Sequence, residues 1–194
     1  TLSQSFYAET LAHPQRLYIG VIPHNKTIFN TILELIEIYH REIQKLQQLS
    51  SNTPNPYGGV LTPGTKGWTE LLDLYSTSLT YFLASRDLNS LRTDLEGDVI
   101  PRLQRDGLMP LRISELTGST STDEVSKILE RLEAPALIDD QPNTVLATSM
   151  VSHGVDIDRL NSMIFYGMPR QNSEYIQASS RVGRSHVGIV FGCL

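Results

Sequence analysis

The feature that most constrains this chain is the order of its apolar segments. Short β-branched or aromatic runs alternate with longer amphipathic stretches along most of its length. The runs are 17–22, 79–84, 111–116, 144–149, 162–166 and 188–191. Most are apolar almost throughout instead of alternating, which suits strands covered on both faces. Strands joined by helical crossovers and buried on two sides form a parallel sheet between helical layers. The order therefore predicts an α/β three-layer sandwich, a mainly parallel sheet of about six strands flanked by helices.

The intervening stretches read as helices and loops. In 26–49, Ile28, Ile32, Leu35, Ile36, Tyr39, Ile43 and Leu46 recur at spacings of three and four, the period of one long amphipathic helix. Residues 51–63 collect Pro54, Pro56, Gly58, Gly59 and Pro63 and form a loop. Helices are expected over 68–76 and 87–95, with Gly97 breaking the latter and a short helix restarting over 98–106. Ser121 and Glu124 have the spacing of a capping box, ahead of an apolar stripe of Val125, Ile128, Leu129 and Leu132. A last helix is expected over 172–182, after Pro169.

Composition narrows the class. The chain has 194 residues, 16 Lys+Arg against 21 Asp+Glu for a net charge of −5, and 40% hydrophobic residues. That fits one domain with a sizeable core and excludes a disordered acidic tail. No apolar run reaches the roughly 18 residues that span a bilayer, and 1–30 lacks a secretory signal, so no membrane partner and a cytoplasmic setting are expected. One cysteine, Cys193, excludes an internal disulfide framework and a multi-thiolate zinc site. The acidic balance excludes attachment to nucleic acid by bulk charge alone. The chain begins at Thr1 and ends within an expected strand, which suggests a piece of a longer protein.

Complete active-site motifs are missing. The nearest approach to a phosphate-binding loop is 59–67, where Gly64 is followed by Thr65, Lys66 and Gly67, but the lysine is one place late and no strand leads in. Asp139 and Asp140 follow Leu137 and Ile138 but sit among prolines, as in a solvated loop. The five histidines form no i, i+4 pair, no metal site is expected, and there is no G-x-S-x-G elbow. The turn at Pro23 to Lys26 and the aromatics Trp68, Tyr75 and Tyr81 read as structural.

The informative block is 143–193. An apolar strand runs into Thr148-Ser149-Met150-Val151-Ser152-His153-Gly154-Val155-Asp156-Ile157, and the last helix carries Gln177, Arg181 and Arg184 at spacings of four and three. On one helix face these would be presented together at the carboxyl edge of the sheet. Gly183 between the arginines would permit a tight turn. Two arginines on one face suit a solvated surface, and equally a bidentate grip on phosphate.

Ala147-Thr148-Ser149 followed by His153-Gly154-Val155-Asp156-Ile157 resembles motif V of superfamily 2 helicases, and Gln177 to Arg184 resembles their motif VI. Leu116-Thr117-Gly118-Ser119 is similar to motif IVa, and 79–86 to motif IV. Ser149, His153, Ala178 and Ser180 depart from the common pattern, while Arg181-Val182-Gly183-Arg184 is intact. The stretch from Phe165 to Ser185 is similar to large bacterial helicases of the DISARM phage-defence type.

The resemblance implies a RecA-like fold, the second motor domain of an ATP-dependent helicase or translocase, with 78–194 carrying the motifs and 1–77 a family-specific strand, long helix and loop. It implies arginine fingers at Arg181 and Arg184, and nucleotide contacts at Gln177, Gly154 and Asp156. Nucleic-acid contacts fall to Thr117, Gly118, Thr148 and His153, through hydroxyls and amides that need no net positive charge. ATP would be the cofactor, with Mg2+ held by an N-terminal RecA-like domain, and this chain alone would be inactive. DNA is favoured over RNA as partner, beside subunits of a defence complex. The rival expectation is a degenerate RecA-like binding or regulatory module.

Overall fold

The computed structural model describes residues 15–135, 141–148 and 157–193. These form a six-stranded sheet, β1 (Arg16–Val21), β2 (Ser78–Phe82), β3 (Ile113–Leu116), β4 (Thr144–Ala147), β5 (Ser162–Tyr166) and β6 (Gly188–Cys193), in the spatial order β1-β6-β5-β2-β4-β3. Every pairing is parallel. All six expected strands are present, and β2, β4 and most of β5 are buried throughout, as their unalternating apolar runs required.

The helices are α1 (Ile28–Gln47), α2 (Lys66–Tyr75), α3 (Ser85–Asp94), α4 (Ile100–Arg105), α5 (Thr122–Glu133) and α6 (Asn172–Ser179). Successive side chains along each strand feed opposite cores. On one face Leu79, Tyr81, Val145, Ala147, Met163 and Phe165 pack with Leu132 of α5 and Ala178 of α6. On the other, Phe82, Leu146 and Ile164 pack with Ile32 and Ile36 of α1, and with Leu88 and Leu91 of α3. Trp68, Tyr81 and the other core aromatics are buried as expected, with the Trp68 indole N–H donating to the Leu46 carbonyl at 2.9 Å. The expected turn before α1 is present, with Asn25 at φ 57°.

Two helix expectations are corrected. Gly97 does not break the chain: α3 continues through a single π turn, Leu95–Val99, directly into α4. Leu91, Leu95, Val99 and Leu103 are all fully buried at successive spacings of four. In a regular α-helix four residues overshoot one turn by about 40°, so the stripe would drift off the core; one wider turn brings it back. The last helix ends at Ser179, three residues short of the expected 182. The carbonyls just after it meet Arg16, whose Nε donates to Val182 O at 2.8 Å and whose Nη2 donates to Ser180 O at 3.2 Å.

Candidate functional site

In a parallel sheet all strands begin at one edge and end at the other, and the two groups of candidate residues fall on opposite edges. At the carboxyl edge, β3 and β4 lie side by side with Leu116 opposite Ala147, and Thr148 N donates to Leu116 O at 3.0 Å. Thr117 and Thr148 thus emerge together, both buried. The turn from Thr117 to Ser121 satisfies itself. Thr117 N donates to Thr120 Oγ1 at 3.0 Å, and the Thr117 and Ser119 hydroxyls are 2.9 Å apart. The predicted capping box is complete: Ser121 Oγ accepts from Glu124 N at 3.3 Å, and Glu124 Oε2 accepts from Ser121 N at 3.1 Å. The bond from Ser121 N, with a second from the Ser121 hydroxyl at 2.9 Å, holds the Glu124 carboxyl pKa below its ordinary value. Gly118 and Ser119 are the exposed points of this turn. His153, Gly154 and Asp156 lie outside the described residues.

Arg181 and Arg184 are at the amino edge, which corrects the expectation that one helix face presents them with Gln177 at the carboxyl edge. Helix α6 starts beyond the end of β5 and runs back antiparallel to it, so Gln177 lies in its last turn and the arginines follow in the non-helical segment before β6. Gly183 N donates to Leu160 O at 3.1 Å, just ahead of β5, and Gly188 N donates to Gln15 O at 2.8 Å, just ahead of β1. Gln177 and Arg184 are exposed and Arg181 is half-buried. Strands of this length separate the two edges by roughly 15–20 Å.

The tight turn between the arginines depends on glycine. Gly183 has φ 75°, and a Cβ there would lie 2.6 Å from Gly188 N and 2.8 Å from Gln15 O. Both the left-handed backbone and the close approach exclude a side chain. The segment is also held from outside: Ser185 Oγ donates to Asp158 O at 2.8 Å, and the Tyr75 hydroxyl donates to Val187 O at 2.6 Å. The turn thus places the Arg181 and Arg184 guanidinium groups at this sheet edge. Sequence reasoning missed Arg16 and Tyr75, which bond this segment, and the neighbouring ion pair of Asp73 with Arg159. Their only signal is a polar residue at the foot of an apolar strand or the end of a helix. Among the described residues no group of three or more His, Cys, Asp or Glu could hold a metal ion, and no helix is long and apolar enough to cross a membrane.

The family described as "Helicase conserved C-terminal domain" matches residues 76–186, more than half of the chain's 194 residues, and the chain belongs to it. The fold is that of RecA-like helicase domains. It is shared with Mss116p DEAD-box helicase domain 2 bound to an RNA duplex, at a TM-score of 0.55 and 14% identity, covering 91% of this chain and 54% of that one. It is shared too with the DUF1998 helicase MrfA bound to DNA, at a TM-score of 0.59 and 14% identity, covering 91% of this chain and 20% of that one. A more specific likeness is to the DISARM protein DrmA of Bacillus paralicheniformis, 33% identical over 185 residues. That match takes in 91% of this chain and only 15% of the length of DrmA.

Proposed function

We propose that the chain, 1–194, is the second motor domain of an ATP-dependent nucleic-acid helicase or translocase of the DISARM type. The observation that carries this reading is the glycine-forced turn offering Arg181 and Arg184 at one sheet edge, opposite the hydroxyl-rich turn of Thr117 to Ser121 at the other. The arginines would meet the terminal phosphate of ATP held by a first motor domain, and Gln177, Gly154 and Asp156 would border the nucleotide. A guanidinium is permanently charged and bidentate, so it can neutralise charge that develops on a transferred phosphoryl group. ATP supplies the free energy of phosphoryl transfer; Mg2+ belongs to the first motor domain, together with the phosphate-binding loop that this sequence lacks. Alone, this chain would not turn ATP over.

The carboxyl edge would form half of a track for a nucleic-acid backbone, through the exposed backbone of Gly118 and Ser119 beside the buried Thr117 and Thr148, together with His153. Such donors position phosphates without reading sequence and without net positive charge, so an acidic chain can serve. Closing the cleft between motor domains on ATP would shift this half of the track against the other, which converts hydrolysis into stepping. DNA is the favoured strand, and the setting is a cytoplasmic defence complex, in keeping with the DISARM relative. The test is Arg184→Ala in the full-length protein. ATP turnover should fall by about 10³-fold, the scale of an arginine finger. Near-normal turnover would remove the catalytic assignment and leave a binding or regulatory module.

A further inference from the structure

We propose that Asp73, Leu74 and Tyr75, the last three residues of α2, form a bracket that sets the position of the arginine turn, with Asp73 a positioning residue that acts through Arg159. This rests on the finger reading above, and it gives a function to a segment that precedes every helicase motif.

The bracket grips two neighbouring pieces of chain. The first is the turn from Asp158 to Asn161 that leads into β5. The Arg159 guanidinium forms an ion pair with Asp73, whose side chain is 9% exposed. The fully buried Asn161 donates through Nδ2 to Leu74 O at 3.3 Å and to Arg159 O at 3.4 Å. The second piece is the arginine segment itself, where the Tyr75 hydroxyl holds Val187 O. The two pieces are joined to each other, since Leu160 O accepts from Gly183 N and Asp158 O accepts from Ser185 Oγ. The bracket is itself fixed to the core, because the Tyr39 hydroxyl of α1 donates to Tyr75 O at 2.6 Å.

The polar ties cross a gap. Leu61 and Leu71 as well as Glu70, Arg159 and His186 border an open cleft between α2 and the turn, and the Asp73–Arg159 pair lies in its wall. A pair drawn partly out of water, with its carboxylate nearly buried, has stronger electrostatics than an exposed pair and a defined geometry. If the finger works by placing charge within a few tenths of an ångström of a phosphoryl group, loss of the pair costs rate through misplacement.

The experiment is a set of variants in the full-length protein: Asp73→Asn, Tyr75→Phe, the exchange Asp73→Arg with Arg159→Asp, and Asp73→Asn combined with Arg184→Ala. Asp73→Asn should lower kcat for ATP by about 10-fold or more with KM changed less than about threefold, and the exchange should restore part of the loss. With Arg184 already alanine, Asp73→Asn should lower kcat by clearly less than it does alone, because part of its effect runs through that side chain. An equal fall in that background, or wild-type kcat in Asp73→Asn, overturns the proposal. Backbone hydrogen exchange keeps the two readings apart. Should Arg184→Ala leave turnover normal, the finger reading fails, and the bracket stands or falls on whether amides 183–187 exchange faster in Asp73→Asn and Tyr75→Phe while those of α5 do not. Unchanged exchange there defeats it.

Discussion

The two edges of the sheet are built in opposite ways. The carboxyl-edge turn, Thr117 to Glu124, is bonded locally: among the described residues its bonds join residues no more than four apart in sequence. The amino-edge turn is held by distant residues, Arg16 at separations of 166 and 164 and Tyr75 at 112. The hydroxyl turn can therefore form as soon as its own segment folds. The amino edge exists only once β1, α2 and β6 are in place, so its geometry depends on the whole fold.

The largest expected effect that tests this contrast is Gly183→Ala. The substitution combines a left-handed backbone with a 2.6 Å approach to Gly188 N, so β6 or the turn must move. Strain and displaced backbone hydrogen bonds together should cost roughly 3 kcal/mol or more, measured by urea unfolding. Gly118→Ala at the exposed point of the other turn should cost far less, and comparable losses at both positions would erase the distinction.

Acidification should also act on the amino edge. His40 of α1 is buried beside the first residues of β2 and β4, its Nε2 2.9 Å from Ser78 Oγ and 3.2 Å from Thr144 Oγ1. Burial, with a smaller contribution from the Arg112 charge, lowers its pKa from 6.5 to about 4. The unfolded chain takes up the proton near 6.5 and the folded protein only near 4, so the unfolded state binds more protons between those values. Stability is therefore full above about pH 7 and falls as pH drops through this window, by a total of about 3 kcal/mol. Unfolding free energies measured from pH 7.5 to 4 should slope downward, and His40→Gln should flatten the slope. Glu124 also has a lowered pKa, which points the same way at lower pH, but it is exposed and contributes little.

What the sequence made legible follows the same divide. Strands, the capping box and the hydroxyl turn are written in contiguous residues, so periodicity marks the strands, spacing the capping box and the motif resemblance the turn. The π turn was hidden because Gly97 alone looks like a helix breaker, and only the four-residue spacing of Leu91, Leu95, Val99 and Leu103, judged against a core, explains why the helix continues. The arginines were found by motif but put on the wrong edge, because spacings of four and three fit a helix equally well as one that has already stopped at Ser179. The stop is imposed by Arg16 and by the Gly183–Gly188 contact, both remote from the motif. Asp73 and Tyr75 carry no local mark of their part.

Arg16→Ala isolates the cap at the end of α6. Removing the guanidinium leaves Val182 O and Ser180 O without these bonds, and deletes a positive charge from the negative end of the helix. The expected cost is about 1–2 kcal/mol in thermal or urea unfolding, with α6 fraying from Ser179 toward Gln177.

Ser121→Ala gives the smallest effect and tests the carboxyl edge. It removes the hydroxyl that accepts from Glu124 N and donates to Glu124 Oε2, and leaves the bond from Ser121 N to Glu124 Oε2 intact. Loss of one half of a capping box on an exposed turn should cost about 1 kcal/mol. The location of the damage decides more than its size. If the carboxyl-edge turn is self-contained, faster hydrogen exchange should be confined to the first turn of α5, and amides 183–188 at the amino edge should keep their protection. Asp73→Asn should give the mirror image. Exchange that spreads to both edges in either variant would show the two turns to be one cooperative unit, coupled through the buried face that α5 and α6 share.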